Sequence, residues 1–358
     1  MKKKISTKTA GLILLAIIIA AAGIYSLILS GKQEVISING YLGGEKIGFM
    51  EDEEVQEILR SRYGLEVDYA RAGSLDMVTA DQTGMDYLFP SSQTALSYYT
   101  DYYGTAPSNE IILNTPIVLY THQMVLDAWM KEGIVSEQDG VFSADMAKLT
   151  ELIQAGTQWS DMGLNQLYGT VSIDTTDPAR SNSGNMFAAL LANVLAGETV
   201  VDEQSVEEIL PQLKEIFSRL GYMESSSSDL FSQFLKMGVG AKPVIAGYES
   251  QLLEFAVENP EEYEQIRDDI VMIYPSPTVW STHIYIALDE AGERGMEALL
   301  DEEIQNLAWK KHGFRTSIYG IGTDMETFGV DGIAREITRV MQVPEYGAMK
   351  KIIDALSR

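Results

Sequence analysis

The chain has 358 residues, with 52 acidic against 26 basic side chains and a formal net charge of -26. Past residue 32 no local basic patch offsets that acidity, so the surface repels a phosphate backbone and nucleic-acid binding is set aside. No cysteine is present, which excludes disulfides, thiolate chemistry and a lipid attached to an amino-terminal cysteine.

Lys2, Lys3, Lys4 and Lys8 precede Gly11 to Gly31, a stretch without a charged side chain. Roughly 20 apolar residues in a helix span a bilayer core of about 30 Å, and the lysines hold the amino end on the cytoplasmic side. Ala20, Ala21, Ala22 and Gly23 resemble a processing site, but the apolar run exceeds the usual signal-peptide core. An uncleaved transmembrane helix over residues 1–32 is therefore expected. The remainder is placed outside the cytoplasm, attached to the membrane, or secreted if the segment is cleaved. From Gln33 about 325 residues remain, enough for two packed domains.

That region reads as alternating short strands and amphipathic helices, an α/β order. Strands are expected at Val35 to Tyr41, Leu65 to Tyr69, Met85 to Phe89 and Ile111 to Tyr120, the last interrupted by Pro116. Helices follow at Asp52 to Arg62 and after Pro90-Ser91-Ser92, where serine stands in a capping position. A second lobe begins near Thr121, with helices at Met124 to Lys131 and Ser143 to Ala155 and a strand at Gly169 to Asp174. Helices Met186 to Leu195, Val206 to Leu220, one from near Leu230 and Gln251 to Glu258 alternate with strands Pro243 to Gly247 and Ile270 to Tyr274. His283 to Leu288 is a second extended run able to pass between lobes, and helices at Gly295 to Lys311, Gly332 to Met341 and Tyr346 to Leu356 complete the chain. The first lobe then comprises 33–120 and 285–358, the second 121–284, and two crossover strands form a hinge.

The most distinctive polar segment is Asp174 to Asn185, between a β-branched strand and an apolar helix. Ser181, Asn182, Ser183 and Gly184 offer hydroxyls and backbone N–H groups at a helix start, where an anion or polar oxygen is stabilised; plain helix capping is the alternative. Gly73-Ser74 and Ser91-Ser92 are similar turns in the first lobe, and such turns gather at the carboxyl ends of strands in open α/β sheets. Tyr248 is suited to stacking or hydrogen bonding, and Glu249 either accepts from a ligand or supports the helix start. The serine run Ser225 to Ser228 reads as a cap. His122, His283 and His312 are isolated and form no metal-binding spacing, no GxSxG elbow is present, and neither Gly43-Gly44 nor Gly238 and Gly240 make a nucleotide fingerprint. No cofactor, resident metal or catalytic set is expected.

Asp177-Pro178-Ala179-Arg180-Ser181-Asn182-Ser183-Gly184, Gly247-Tyr248-Glu249-Ser250, Tyr274-Pro275-Ser276-Pro277-Thr278 and Lys311-His312-Gly313-Phe314-Arg315 give the chain a resemblance to type II extracellular solute-binding proteins of ABC uptake systems, nearest to the sulfate, molybdate and ferric-iron branch. The resemblance covers essentially all of the region after the apolar segment. It implies a two-lobed periplasmic-binding-protein-like type II fold that holds a small polar solute, such as an oxyanion, between the lobes and signals closure to an ABC permease. It implies ligand contacts from Ser74, Ser91 and Ser92 in the first lobe and from Ser181, Ser183, Gly184, Tyr248 and Glu249 in the second, in a monomeric soluble domain. The other reading is a membrane-tethered sensor or envelope interaction protein with the same fold.

Overall fold

The computed structural model describes residues 35–316, 318 and 320–357; the expected membrane helix lies outside the described residues. Among these, no helix is long and apolar enough to cross a membrane. Nine strands follow in chain order: β1 (Ile36–Leu42), β2 (Leu65–Arg71), β3 (Tyr87–Phe89), β4 (Ser108–His122), β5 (Val135–Gln138), β6 (Val141–Asp145), β7 (Val244–Tyr248), β8 (Ile270–Ser276) and β9 (Trp280–Ala287). They order as β2-β1-β3-β9-β4-β8-β6-β5, with β7 also on β4.

The first lobe is built on β1, which pairs in parallel with β2 and β3. Helix Glu53–Tyr63 makes the crossover from β1 to β2. The Asp52 carboxylate accepts the N–H groups of Glu54 and Val55 at its start, and Gly64 ends it at φ 62, a left-handed position that favours glycine. Val55, Ile58 and Leu59 line its buried face. Strand periodicity sorts the core into two layers. Tyr87, Phe89, Tyr285 and Ala287 face one layer with Ile38 and Leu42, while Leu88, Ile284 and Ile286 face the other with Tyr99 and Ala95.

The same alternation continues along β4 in the second lobe. Ile117 and Leu119 join a core with Val244, Ala246, Val271 and Ile273; Val118 and Tyr120 point oppositely to Leu230, Phe234 and Met272. Up to Pro116, β4 runs antiparallel to β9; from Ile117 it pairs with β7 and from Leu119 also with β8. Pro116, expected to interrupt the strand, sits at this changeover, where its missing N–H breaks neither ladder. The sheet changes hands at 116–117 on the outward strand and near Trp280 on the return, in each case a few residues earlier in the chain than the expected bounds.

Three expectations are corrected. Gly169 to Asp174 forms no regular strand and makes only the isolated bridges Gln158–Thr170 and Asp174–Ile245. Gly332 to Met341 is not helical, because its backbone bonds elsewhere: the Ala334 N–H donates to the Tyr274 hydroxyl at 3.0 Å, and the Arg339 carbonyl accepts from Thr278 N at 2.9 Å. Helix Tyr346–Leu356, assigned to the first lobe, buries Ala348, Met349, Ile352 and Leu356 in the second-lobe core with Leu190 and Leu213. An amphipathic helix at a chain end follows whichever apolar surface is open to it.

Leu119 is fully buried between β7 and β8. Leu119→Ala should cost about 2–5 kcal/mol in chemical denaturation, whereas Ser37→Ala, on the exposed side of β1, should stay within about 0.5 kcal/mol.

Candidate functional site

A cleft of about 500 Å³ opens between the lobes. The first lobe lines it from the carboxyl ends of β1 and β2, through Gly43 to Glu45 and Arg71 to Ser74, with Asp76 beyond. The second lobe contributes Arg180 to Asn182, Ser225 to Ser227, Asp229 and Tyr248. Two helices therefore begin at the cleft, Asn182–Leu195 and Ser227–Met237. Their first N–H groups and positive dipole ends favour an anion. Neither Ser181 nor Ser226, the residues before these helices, uses its hydroxyl as a cap.

Direct contacts join the lobes around the cleft. Arg71 Nη2 donates to Ser226 Oγ at 2.7 Å. Asn182 Nδ2 donates to the Ser91 carbonyl at 2.8 Å and to the Tyr248 hydroxyl at 3.0 Å. Gly73 lies against the Arg180 carbonyl, where a Cβ would stand 2.7 Å from the oxygen, so a larger residue would hold the lobes apart.

Behind the cleft wall lies a buried charged group that sequence reasoning missed. Lys46 is fully buried, and its Nζ reaches Glu45 Oε1 at 2.5 Å, Ser91 Oγ at 2.6 Å and His283 Nδ1 at 3.1 Å. Ser91 Oγ also donates to Glu45. Burial works to raise the Glu45 pKa, but the charges of Lys46 and His283 and the hydrogen bonds from Lys46 and Ser91 win and lower it to about 2. Burial and the neighbouring ammonium push His283 well below the ordinary histidine range. Glu45 thus reaches the cleft as a carboxylate already matched by a cation. Asp76 is raised by burial, with Arg180 acting against the rise.

Of the eight residues singled out from sequence, Ser74, Ser181 and Tyr248 line the cleft. Ser91 stands behind it on Lys46, and its N–H donates to Ser74 Oγ at 2.9 Å. Ser92 caps helix Gln93–Tyr103 by accepting from Ala95 N. The Ser183 hydroxyl lies 2.7 Å from Thr176 Oγ1 and 3.1 Å from Ser181 Oγ. Gly184 packs on the backbone of Thr176 to Pro178. Glu249 turns away from the cleft: it is fully buried, accepts from Arg315 at 2.6 and 2.7 Å and accepts the Tyr274 hydroxyl proton. Arg71, Arg180 and the Ser225 to Ser227 run also line the cleft; the last had been read as a cap.

No family model matches the chain, and no curated protein matches it. Among solved structures it is similar to iron-bound HitA from Pseudomonas aeruginosa, at 10% identity and TM-score 0.59 over 90% of this chain and 100% of that one. It is similar to the apo ferric ion-binding protein A of Pasteurella haemolytica, at 12% identity and TM-score 0.57 over 89% and 95%. The sulfate-binding protein SubI of Mycobacterium tuberculosis aligns at 14% identity and TM-score 0.52 over 84% and 93%. At these identities the likeness establishes the fold: this is a two-lobed, type II periplasmic-binding-protein-like α/β chain.

The Glu45 carboxylate ties the stability of the fold to pH. Its folded pKa lies below its ordinary 4.5, so its stabilising contribution is complete above that value and is lost as pH falls from about 4.5 toward 2. Lys46→Met removes the main opposing cation and leaves burial dominant. With the folded pKa of Glu45 then above 4.5, urea denaturation at stepped pH should show the acid-side loss of the wild type replaced by a loss of stability as pH rises above about 4.5.

Proposed function

We propose that this chain is a solute-binding protein of an ABC uptake system, working outside the cytoplasm as a monomer. It captures a small polar solute bearing an anionic group between its lobes and presents it to a membrane permease. The observation that carries this reading is the convergence on one cleft of Arg71, Arg180 and the starts of two helices, one contributing Ser181 and the other Ser226. Guanidinium groups and helix N-termini both recognise oxyanions and carboxylates. The fold neighbours described as binding sulfate and iron support small-solute capture.

The cleft volume falls within the ~300–1,000 Å³ common for small-molecule sites, which suits an organic acid or an oxyanion with retained water. Ser74, Ser181 and Tyr248 provide neutral donors and acceptors around the charge.

Thermal-shift titration of the full chain against separate panels of oxyanions, organic acids, amino acids, metal ions and sugars tests the reading. A ligand at 100 times its Kd stabilises by about 2.7 kcal/mol. We expect a dose-dependent shift with an anionic compound and its loss in Arg71→Ala. A response confined to sugars or metal ions, or an anion response indifferent to Arg71→Ala, defeats the proposal.

A further inference from the structure

Glu254, Glu258 and His312 come together at the lobe interface, outside the solute cleft. Glu254 and Glu258 are one turn apart on helix Glu249–Glu258 and so share a face, whereas His312 follows the first-lobe helix Glu302–Lys310. One ligand atom from each lies within 4.8 Å of the others. The imidazole is 3% exposed, with Phe49 set edge-on at 5.7 Å. Its Nδ1 is 2.7 Å from Glu254 Oε1. Its buried Nε2 has no hydrogen-bond partner and faces Asp52, with Oδ2 at 3.5 Å. Gly48 leaves room for the Glu254 carboxylate, which any side chain there would strike. A second opening of about 270 Å³, lined by Gly48, Glu254 and Glu258, gives a route from solvent.

We propose that Glu254, Glu258 and His312 form a divalent transition-metal site that ties the two lobes together. Ligand atoms about 2.1 Å from one ion and at right angles lie about 3 Å apart, so the Glu254–His312 spacing has to open by only a few tenths of an ångström. One imidazole nitrogen with two or three carboxylate oxygens suits Mn²⁺ or Zn²⁺; Mg²⁺ and Ca²⁺ prefer all-oxygen sets. Two carboxylates on one helix face beside a third ligand atom leave negative charge crowded at that point. A cation relieves that crowding. The histidine and the glutamates are 58 and 54 residues apart in the chain, by His312 to Glu254 and to Glu258, so no local motif announces the site.

Isothermal titration of the full chain with MnCl₂, ZnCl₂ and MgCl₂ at pH 7.5 and 6 tests it. We expect one Mn²⁺ or Zn²⁺ per chain, weaker binding at pH 6 and no comparable Mg²⁺ site. His312→Gln and Glu258→Gln should each weaken Mn²⁺ or Zn²⁺ binding by at least about tenfold; the exposed position of Glu258 makes the second variant safe for folding. Absence of metal binding by the wild type, or affinity unchanged in Glu258→Gln and in folded His312→Gln, overturns the proposal and leaves a histidine hydrogen-bonded between carboxylates.

Discussion

Strand β4 must belong to two sheets at once, and much of the architecture follows from that constraint. Its amino-terminal part satisfies its backbone against β9, and its carboxyl-terminal part against β7 and β8. The apolar alternation persists through the changeover, so both lobes receive their core residues in phase. A register slip of one residue would turn Ile117 and Leu119 away from their layer and exchange them with Val118 and Tyr120.

An envelope with net charge -26 surrounds a cleft whose wall carries Arg71 and Arg180. Net charge governs encounter and solubility, while recognition depends on the local field. The local field is shaped by the Glu45–Lys46 pair. Without the ammonium, Glu45 would oppose an incoming anion; with it, the carboxylate is compensated from behind the wall. Lys46 is itself costly to bury, and contacts with Glu45, Ser91, His283 and the Phe89 ring at 4.9 Å offset that cost.

Seven of the nine strands and most helices were legible in the sequence because their apolar periods are local; the largely unburied β5 and β6 were not. Ser74, Ser181 and Tyr248 were legible as cleft residues because each closes a strand or opens a helix. Glu249 was misplaced for the same local reason: a carboxylate at a helix start looks alike whether it faces a ligand or an arginine, and Arg315 is 66 residues away. Arg71 ends a strand and Arg180 sits in a loop, and nothing adjacent to either reveals what they face. Helix Gly332 to Met341 failed because buried Ile333 and Ala334 can also pack from an irregular segment when Tyr274 and Thr278 accept and supply its backbone bonds. Tertiary partners decided each of these outcomes, and single-sequence periodicity does not contain them.

Helix Glu249–Glu258 brings these separate features into mechanical relation. Tyr248, just before it, meets the cleft; Glu249, its first residue, is clasped by Arg315; Glu254, farther along, reaches His312 of the first lobe. Arg315 is anchored in turn by reciprocal backbone bonds with Asn114 on β4 at 2.7 and 2.8 Å. Breaking one partner from a buried ion pair costs about 3–5 kcal/mol, so lobe motion is cheapest when Glu249 and Arg315 stay joined. Contacts farther out, Arg71 to Ser226 and Glu254 to His312, join the lobes at two further places.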